Sequence, residues 1–535
     1  MMKSLKFCLG ACAILAAGAV WAAGSVFEWD ATKKTGDWFE PGNWTKEAVP
    51  SGLDAAKFTI PQGEEWTITV SGDVSVTNLW VYGGGTLHLM MENAPKIRIG
   101  GSSDGAPPSI GAGRGAAFVT GKSTLILDGE STFASAHDPV PSYALLQMDN
   151  QTSLVVTNGA TFRMPARIPY VGTKAVANGT ALVVVSGEGS TLGITGSKSE
   201  LAGGGVVFKV NNKAKLSSFP SSHSSAKNLQ VNVTDNAEFS DAHIYFGGVG
   251  SRLLVKDSVL SAITSGTSTY LTFPGSKTSG SSGSNIVMDF DNAIINGGSS
   301  FQTAKGNNVT LVLNNGTTLN ASAVAWGCRT CSRSTLIISN STVTTTGTTT
   351  IGANDARAGS YTGRDMQIIV AEGGTYSGVA LQVGKFSTND TFFVDGGTAT
   401  FSGAAKIGNA SDAVTVNSFV KVRGESSVLS FNSTLSFTAS AGIACELPLP
   451  KDRAAISCAG KVTLADDTKL VVTVPDDFSQ KVTHTLLTGS SIVNTIAPEN
   501  VVVNGKATAT VEKSADGKSI LLTVKPLSGL MLLIR

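Results

Sequence analysis

Apolar and polar residues alternate strictly along many short stretches of this chain. In "NLQVNVT", Leu229, Val231 and Val233 fall on one face of an extended strand, and Gln230, Asn232 and Thr234 fall on the other. "WTITVSGDVSVT", "KIRIG" and "VKVRG" follow the same two-residue period. Such strands bury one face and give the other to water. No segment after residue 22 sustains a 3.6-residue apolar period, so very little helix is expected.

The strands recur as a loose repeat. In "STLILDGESTF", "TSLVVTNGATF", "NVTLVLNNGTTL", "MQIIVAEGGTY" and "DTFFVDGGTATF", a strand leads to a Gly/Asn/Asp turn, a Thr or Ser, and one large apolar residue. Those closing residues, Phe133, Phe162, Leu192, Leu216, Phe239, Leu260, Ile295, Leu319, Val343, Tyr376, Phe401 and Leu429, stand 21 to 35 residues apart. That is the range of solenoid coils. Several units carry a second apolar-Gly motif downstream, at Tyr170, Tyr245, Thr350, Gln382 and Lys406, so each unit supplies at least two strands.

The pattern predicts an all-β chain folded as a right-handed parallel β-helix: each coil turns its apolar face inward and pairs its backbone with the coils above and below. At most ~19 coils of this size fit, giving a rod no longer than about 90 Å. A β-sandwich fits less well, because the units lack Asn-Gly hairpins and Greek-key spacing. Three zones follow a leader over residues 1–22: an aromatic-rich N-terminal cap with the first coils (23–95), the repeats (96–440), and a C-terminal β-rich region (441–535).

The leader reads as a secretory signal. Lys3 and Lys6 supply its charge, Phe7 to Val20 its apolar run, and Val20-Trp21-Ala22 a cleavage site after Ala22. A rival reading takes Leu9-Gly10-Ala11-Cys12 as a lipoprotein processing site. No later run approaches the ~18 apolar residues of a membrane helix. The terminal "GLMLLIR" reads as a closing strand, with a short sorting element as the alternative. The protein is therefore expected to be secreted or held at a cell surface.

Among 535 residues, 60 are Gly, 15% are charged and 7% aromatic, and the net charge is +1. No basic run exceeds Lys33-Lys34, which sets nucleic-acid binding aside. In an oxidising compartment, Cys328 with Cys331 and Cys445 with Cys458 close the smallest disulfide loops, although three connectivities exist. Cys328-Arg-Thr-Cys331 also has the spacing of a redox pair or half a zinc site.

Chemistry has few candidates. Asp241, His243 and Tyr245 in "SDAHIYFGG" would share one strand face, as would Asp289 and Asp291 in "VMDFDNA", where paired acids suit acid–base work or Ca²⁺. Both patterns also arise on any solvated strand face. Trp29, Trp38 and Trp44 form either a sugar-binding platform or a plug over the end of the rod; the turn-like spacing around Pro41-Gly42 favours the plug. Asn-x-Ser/Thr triplets, such as those at Asn43, Asn150, Asn178, Asn308 and Asn432, read as turns. No cofactor and no metal site is implied.

The pattern "FEWDATKKTGDWFEPGNWTKEAVPSGLDAAKFTI", with Trp29, Gly36, Trp38, Asn43, Trp44, Pro50, Asp54 and Phe58, followed by the repeats, resembles the passenger part of autotransporter-like, β-helical bacterial surface proteins. The resemblance spans most of the chain after the leader. It implies export, a β-solenoid rod and a surface role such as adhesion; the outward Thr/Ser/Asn stripes of the strands suit multivalent contacts with glycans or host or matrix proteins. The chain departs from that pattern in having no room at its C-terminus for a membrane barrel. The expected function is thus a non-enzymatic surface rod or adhesin; the alternative is a polysaccharide hydrolase or lyase on a β-helix.

Overall fold

A computed structural model describes residues 24–527, apart from 101–115, 136–144, 169, 172–173, 177, 195–198, 220–224, 242, 246–247, 263–269, 273–282, 303–305, 328–330, 353–362 and 409–416. The leader, Cys328 and the "GLMLLIR" tail lie outside the described residues.

The chain is a parallel β-helix of three faces. One coil runs through Thr124–Asp128 in a first sheet, Ser131–Ser135 in a second and Leu145–Met148 in a third, and then returns to the first sheet at Thr152–Thr157. The first sheet stacks eighteen parallel strands, from Thr35–Asp37 to Val501–Asn504. At one coil per ~4.8 Å the column is about 80 Å long. The sheet crosses both expected boundaries, at 95 and at 440, without a break. Among the described residues there is no α-helix, only two 3₁₀ turns.

The downstream apolar-Gly motif accounts for the third face. Strands Thr348–Gly352, Ala380–Lys385 and Ala405–Ile407 contain the motifs at Thr350, Gln382 and Lys406, and pair with one another. Each repeat therefore supplies three strands. Tyr170 is an exception, because Tyr170–Val171 pairs antiparallel with Lys174–Ala175.

The turn from first to second sheet explains the Gly/Asn/Asp signature. Asn158 and Gly159 have φ of 52° and 88°, and Asn315 and Gly316 have 52° and 87°. This is the left-handed region, which side chains other than Asn, Asp and Gly rarely adopt. Gly129 (φ 102°) has a second reason: a Cβ there would stand 2.7 Å from the Met91 carbonyl oxygen of the previous coil.

The repeat's closing apolar residues stack in register as one core column, Phe133 on Phe162 on Leu192 and so on to Tyr376. Phe401 alone leaves the column. Ala399 takes its place between Tyr376 and Leu429, and Phe401 aligns with Gly378. A Cβ on Gly378 would lie 2.9 Å from the Phe401 ring, so the large residue fills the space that the small one leaves.

At the N-terminal end Trp29, Trp38 and Trp44 pack on Phe58 with ring centroids 5.0 to 5.8 Å apart. The other residues of the aromatic motif serve this cap. A Cβ on Gly36 would come 3.2 Å from the Trp29 ring. Buried Asn43 donates to the Asp37 carbonyl at 2.9 Å, and Asp54 accepts from the Ser25 and Ser51 amides. At the other end Ser519–Pro526 pairs antiparallel with Val482–Thr488 and with Ala507–Lys513, which stops the parallel stack on the second sheet.

Candidate functional site

The sequence-derived candidates do not assemble into one centre. Trp29, Trp38 and Trp44 are only 1–2% exposed, so no ring face remains for a sugar. The Trp29 and Trp44 indoles donate to the Lys33 and Trp38 carbonyls. The three rings instead pack on one another and on Phe58 at the N-terminal end of the column.

Asp241 and His243 lie on different sheets. Asp241 ends strand Glu238–Asp241 of the second sheet, whereas His243–Tyr245 is the first strand of a separate ten-stranded sheet. Because they belong to different sheets, the two-residue spacing gives no common face. The Asp241 carboxylate accepts the Phe219 amide (2.9 Å) and the Ser218 hydroxyl (3.3 Å), tying two coils together. The His243 and Tyr245 side chains lie outside the described residues.

Asp289 and Asp291 do share the outer face of strand Gly283–Asp291. Asp291 accepts from Asn315 at 2.7 Å and faces Lys256 at 3.9 Å; Asn314 approaches Asp289 at 3.5 Å. Among the described residues no group of three potential metal ligands converges.

The expected Cys445–Cys458 bridge is not made, and both are free thiols. Cys445 points into the core between Val422 and Val472 of the first sheet. Cys458 lies on the second sheet and donates to the Ser433 carbonyl at 2.9 Å. Short sequence separation did not bring them together, because the turn between their strands carries them to different faces. Cys331 is buried; its expected partner Cys328 lies outside the described residues.

Three constellations emerge only from stacking. His88 lies between two carboxylates from neighbouring coils, with Nδ1 3.2 Å from Glu65 Oε1 and Nε2 2.8 Å from Asp128 Oδ2. Asn158 from the next coil donates to Asp128 at 2.6 Å. Asn158 also lines a cleft of about 530 Å³ with Glu130, Ser131, Thr132, Thr161 and Glu188. Lys213 bonds to Glu188 at 2.8 Å and holds that carboxyl below its ordinary value.

The second constellation surrounds Phe393 on the first sheet. Lys421 and Arg423 lie over its ring, 4.5 and 5.4 Å from the centroid. Arg423 bonds to Asp395 and Glu446, and Lys421 to Glu446. Burial works to raise the Glu446 carboxyl, but the bonds from Lys421 and Arg423 outweigh it and hold it low. Every charge here has a partner, so the cluster is a staple across three coils.

The third is a row on the outer face of the third sheet. Register aligns Glu28, Lys57, Trp80, Phe118, Gln147, Arg167 and Glu200, one per coil. Trp80 and Phe118 are half-buried on the outward side of their strands. Tyr82, two residues beyond Trp80, sets its ring 6.4 Å away at 68°. Burial pushes the Tyr82 hydroxyl above its ordinary pKa. The Trp80 indole nitrogen is shielded and makes no hydrogen bond, so the exposed part of that side chain is carbon. Ion pairs flank the rings, Lys57 with Glu28 at 3.1 Å and Arg167 with Glu200 at 3.7 Å.

Sequence reasoning missed this row, since Trp80 and Phe118 stand 38 residues apart and only coil register unites them. The alternation in "NLWVY", which sends Trp80 and Tyr82 outward while Leu79 and Val81 go inward, was the available signal. Comparison of the chain with protein families and with curated proteins gives no match.

Proposed function

We propose that the protein is an exported rod that acts at a bacterial cell surface by adhesion, without catalysis, as the resemblance to autotransporter-like passengers implies. The observation that supports this reading is the outward row of Trp80, Tyr82 and Phe118 between hydrogen-bonding residues. Large apolar rings turned to water on a soluble strand face forgo burial, and sites that bind glycans or proteins have this composition. A rigid column about 80 Å long would hold such a site away from the membrane.

The test has two arms. Protease accessibility in intact cells should place the protein outside, and solid-phase binding to glycans and matrix proteins, with and without added salt, should find a ligand. A protein retained inside the cell, or one on the surface that binds nothing in the panel, refutes adhesion.

A second reading, a polysaccharide hydrolase or lyase, has the cleft beside the Glu65–His88–Asp128 chain in its favour, because two acids and a histidine neighbour an open groove. Release of reducing or unsaturated sugar ends from a polysaccharide panel, lost in Glu130→Gln, would establish it instead.

A further inference from the structure

We infer that strand Ala507–Lys513, at the C-terminal end of the rod, is a docking edge for the same strand of a second copy, pairing antiparallel about a dyad at Ala509 and joining two rods tail to tail.

The two ends of the column differ. At the N-terminal end the chain folds back on its own first strands. The Thr45 amide donates to the Glu28 carbonyl and the Asp30 amide to the Asn43 carbonyl, both at 2.9 Å, and the Asn43 side chain donates to the Asp37 carbonyl. At the C-terminal end Ser519–Pro526 lies between Val482–Thr488 and Ala507–Lys513, which leaves Ala507–Lys513 outermost on the second sheet. Among the described residues no strand pairs with its far edge.

The ladder shows which groups face that edge. The Lys506 carbonyl accepts the Leu527 amide, and the Ser514 amide donates to the Ser519 carbonyl, so the even-numbered residues direct their backbone groups at Ser519–Pro526. By antiparallel alternation Ala507, Ala509 and Val511 direct theirs to the open side. Edge strands are commonly blunted by a bulge, a proline or an inward-pointing charge. This one carries none of them: its pairing with Ser519–Pro526 runs without a register shift, and its inward side chains are Ala507, Ala509 and Val511.

Charge selects the partner and the register. About a dyad at Ala509, Ala507 stands opposite the partner's Val511, Thr508 opposite the partner's Thr510, and Lys506 opposite the partner's Glu512, each twice by symmetry. Lys506 and Glu512 are exposed, and among the described residues neither makes an ion pair. Both fall in non-hydrogen-bonded pairs, where cross-strand side chains come closest. Sliding the pairing by two residues in either direction loses the match. Lys513, the other cation of the strand, is already bonded to the Ile492 carbonyl at 2.6 Å. The dyad is perpendicular to the sheet, so the inward faces of both strands stay on one side and the apolar cores abut. The joined column is about 160 Å long and carries two copies of every surface site.

The test is sedimentation equilibrium of the intact protein over a concentration series, which should fit a monomer–dimer equilibrium with nothing larger. Ala509→Pro removes the outward amide at the dyad and no ladder bond within the chain, so it should give the mass of a single chain with unchanged far-ultraviolet circular dichroism. Glu512→Lys should weaken the dimer about tenfold, and adding Lys506→Glu should restore it. Should Ala509→Pro lose its fold, the charge exchange alone decides.

A single-chain mass at every concentration overturns the inference. So does a dimer that is indifferent to the charge exchange, because its interface lies elsewhere, and so does open-ended growth, which is head-to-tail stacking. Dimers that form only after deletion of residues 528–535 would make the chain's own C-terminus the occupant of this edge and overturn it equally.

Discussion

Asp390 is a carboxylic acid with no solvent exposure in the interior of a weakly charged protein. Its Oδ1 accepts the Met366 amide at 3.1 Å, and its other oxygen bonds to the Ser387 hydroxyl. Burial, with a smaller contribution from nearby Asp365, outweighs these two bonds and raises the carboxyl from 3.8 to about 7. Between those values the unfolded chain releases a proton that the folded chain keeps. Stability therefore falls by about 1.4 kcal/mol per pH unit as pH rises through the window, and levels off above pH 7. Over the whole window the loss is about 4 kcal/mol.

Asp390→Asn keeps the acceptor for Met366, gives Ser387 a donor and cannot ionise. The variant should match the wild type near pH 4 and become progressively more stable than it up to pH 7, with a constant advantage beyond. Urea unfolding of the intact chain at pH 5, 6, 7 and 8, followed by tryptophan emission, reads this difference directly. If the two proteins lose stability in parallel between pH 5 and 7, Asp390 is not the group that holds the proton, and the reasoning from burial fails.

Truncating the end plug should be costly. Trp38→Ala and Trp44→Ala each remove a buried indole and should each destabilise by about 3–5 kcal/mol, or cause end-to-end aggregation visible by light scattering; an unchanged unfolding midpoint would contradict the plug. Burial pushes the Cys445 thiol up to about 12, so it should resist a thiol reagent at pH 8 in the folded protein. Under denaturing but non-reducing conditions Cys445 and Cys458 should both react, and mass spectrometry showing them joined would refute the free-thiol assignment.

The fold was largely legible because its rules are local. Alternation in each strand assigns inside and outside, and left-handed turn residues such as Asn158-Gly159 mark many of the turns from first to second sheet, so the sequence carries coil after coil. Even the core column was readable, except where Ala399 and Phe401 exchange roles against Gly378. The cap motif was visible too, as aromatic residues around a tight turn. The candidate site was not. Coils differ in length, from 20 residues between Gln147 and Arg167 to 38 between Trp80 and Phe118, so nothing in sequence spacing says that Trp80 stands beside Phe118, or that His88 reaches Asp128 forty positions away.

By itself, then, the sequence determined the identity of the repeating element, the face that each residue takes and the place where the rod begins, all consequences of backbone geometry within a few residues. The tertiary structure alone decided which residues of different coils become neighbours. Backbone pairing between coils sets that register, and it turned the close pairs Asp241/His243 and Cys445/Cys458 apart while lining up distant aromatic rings.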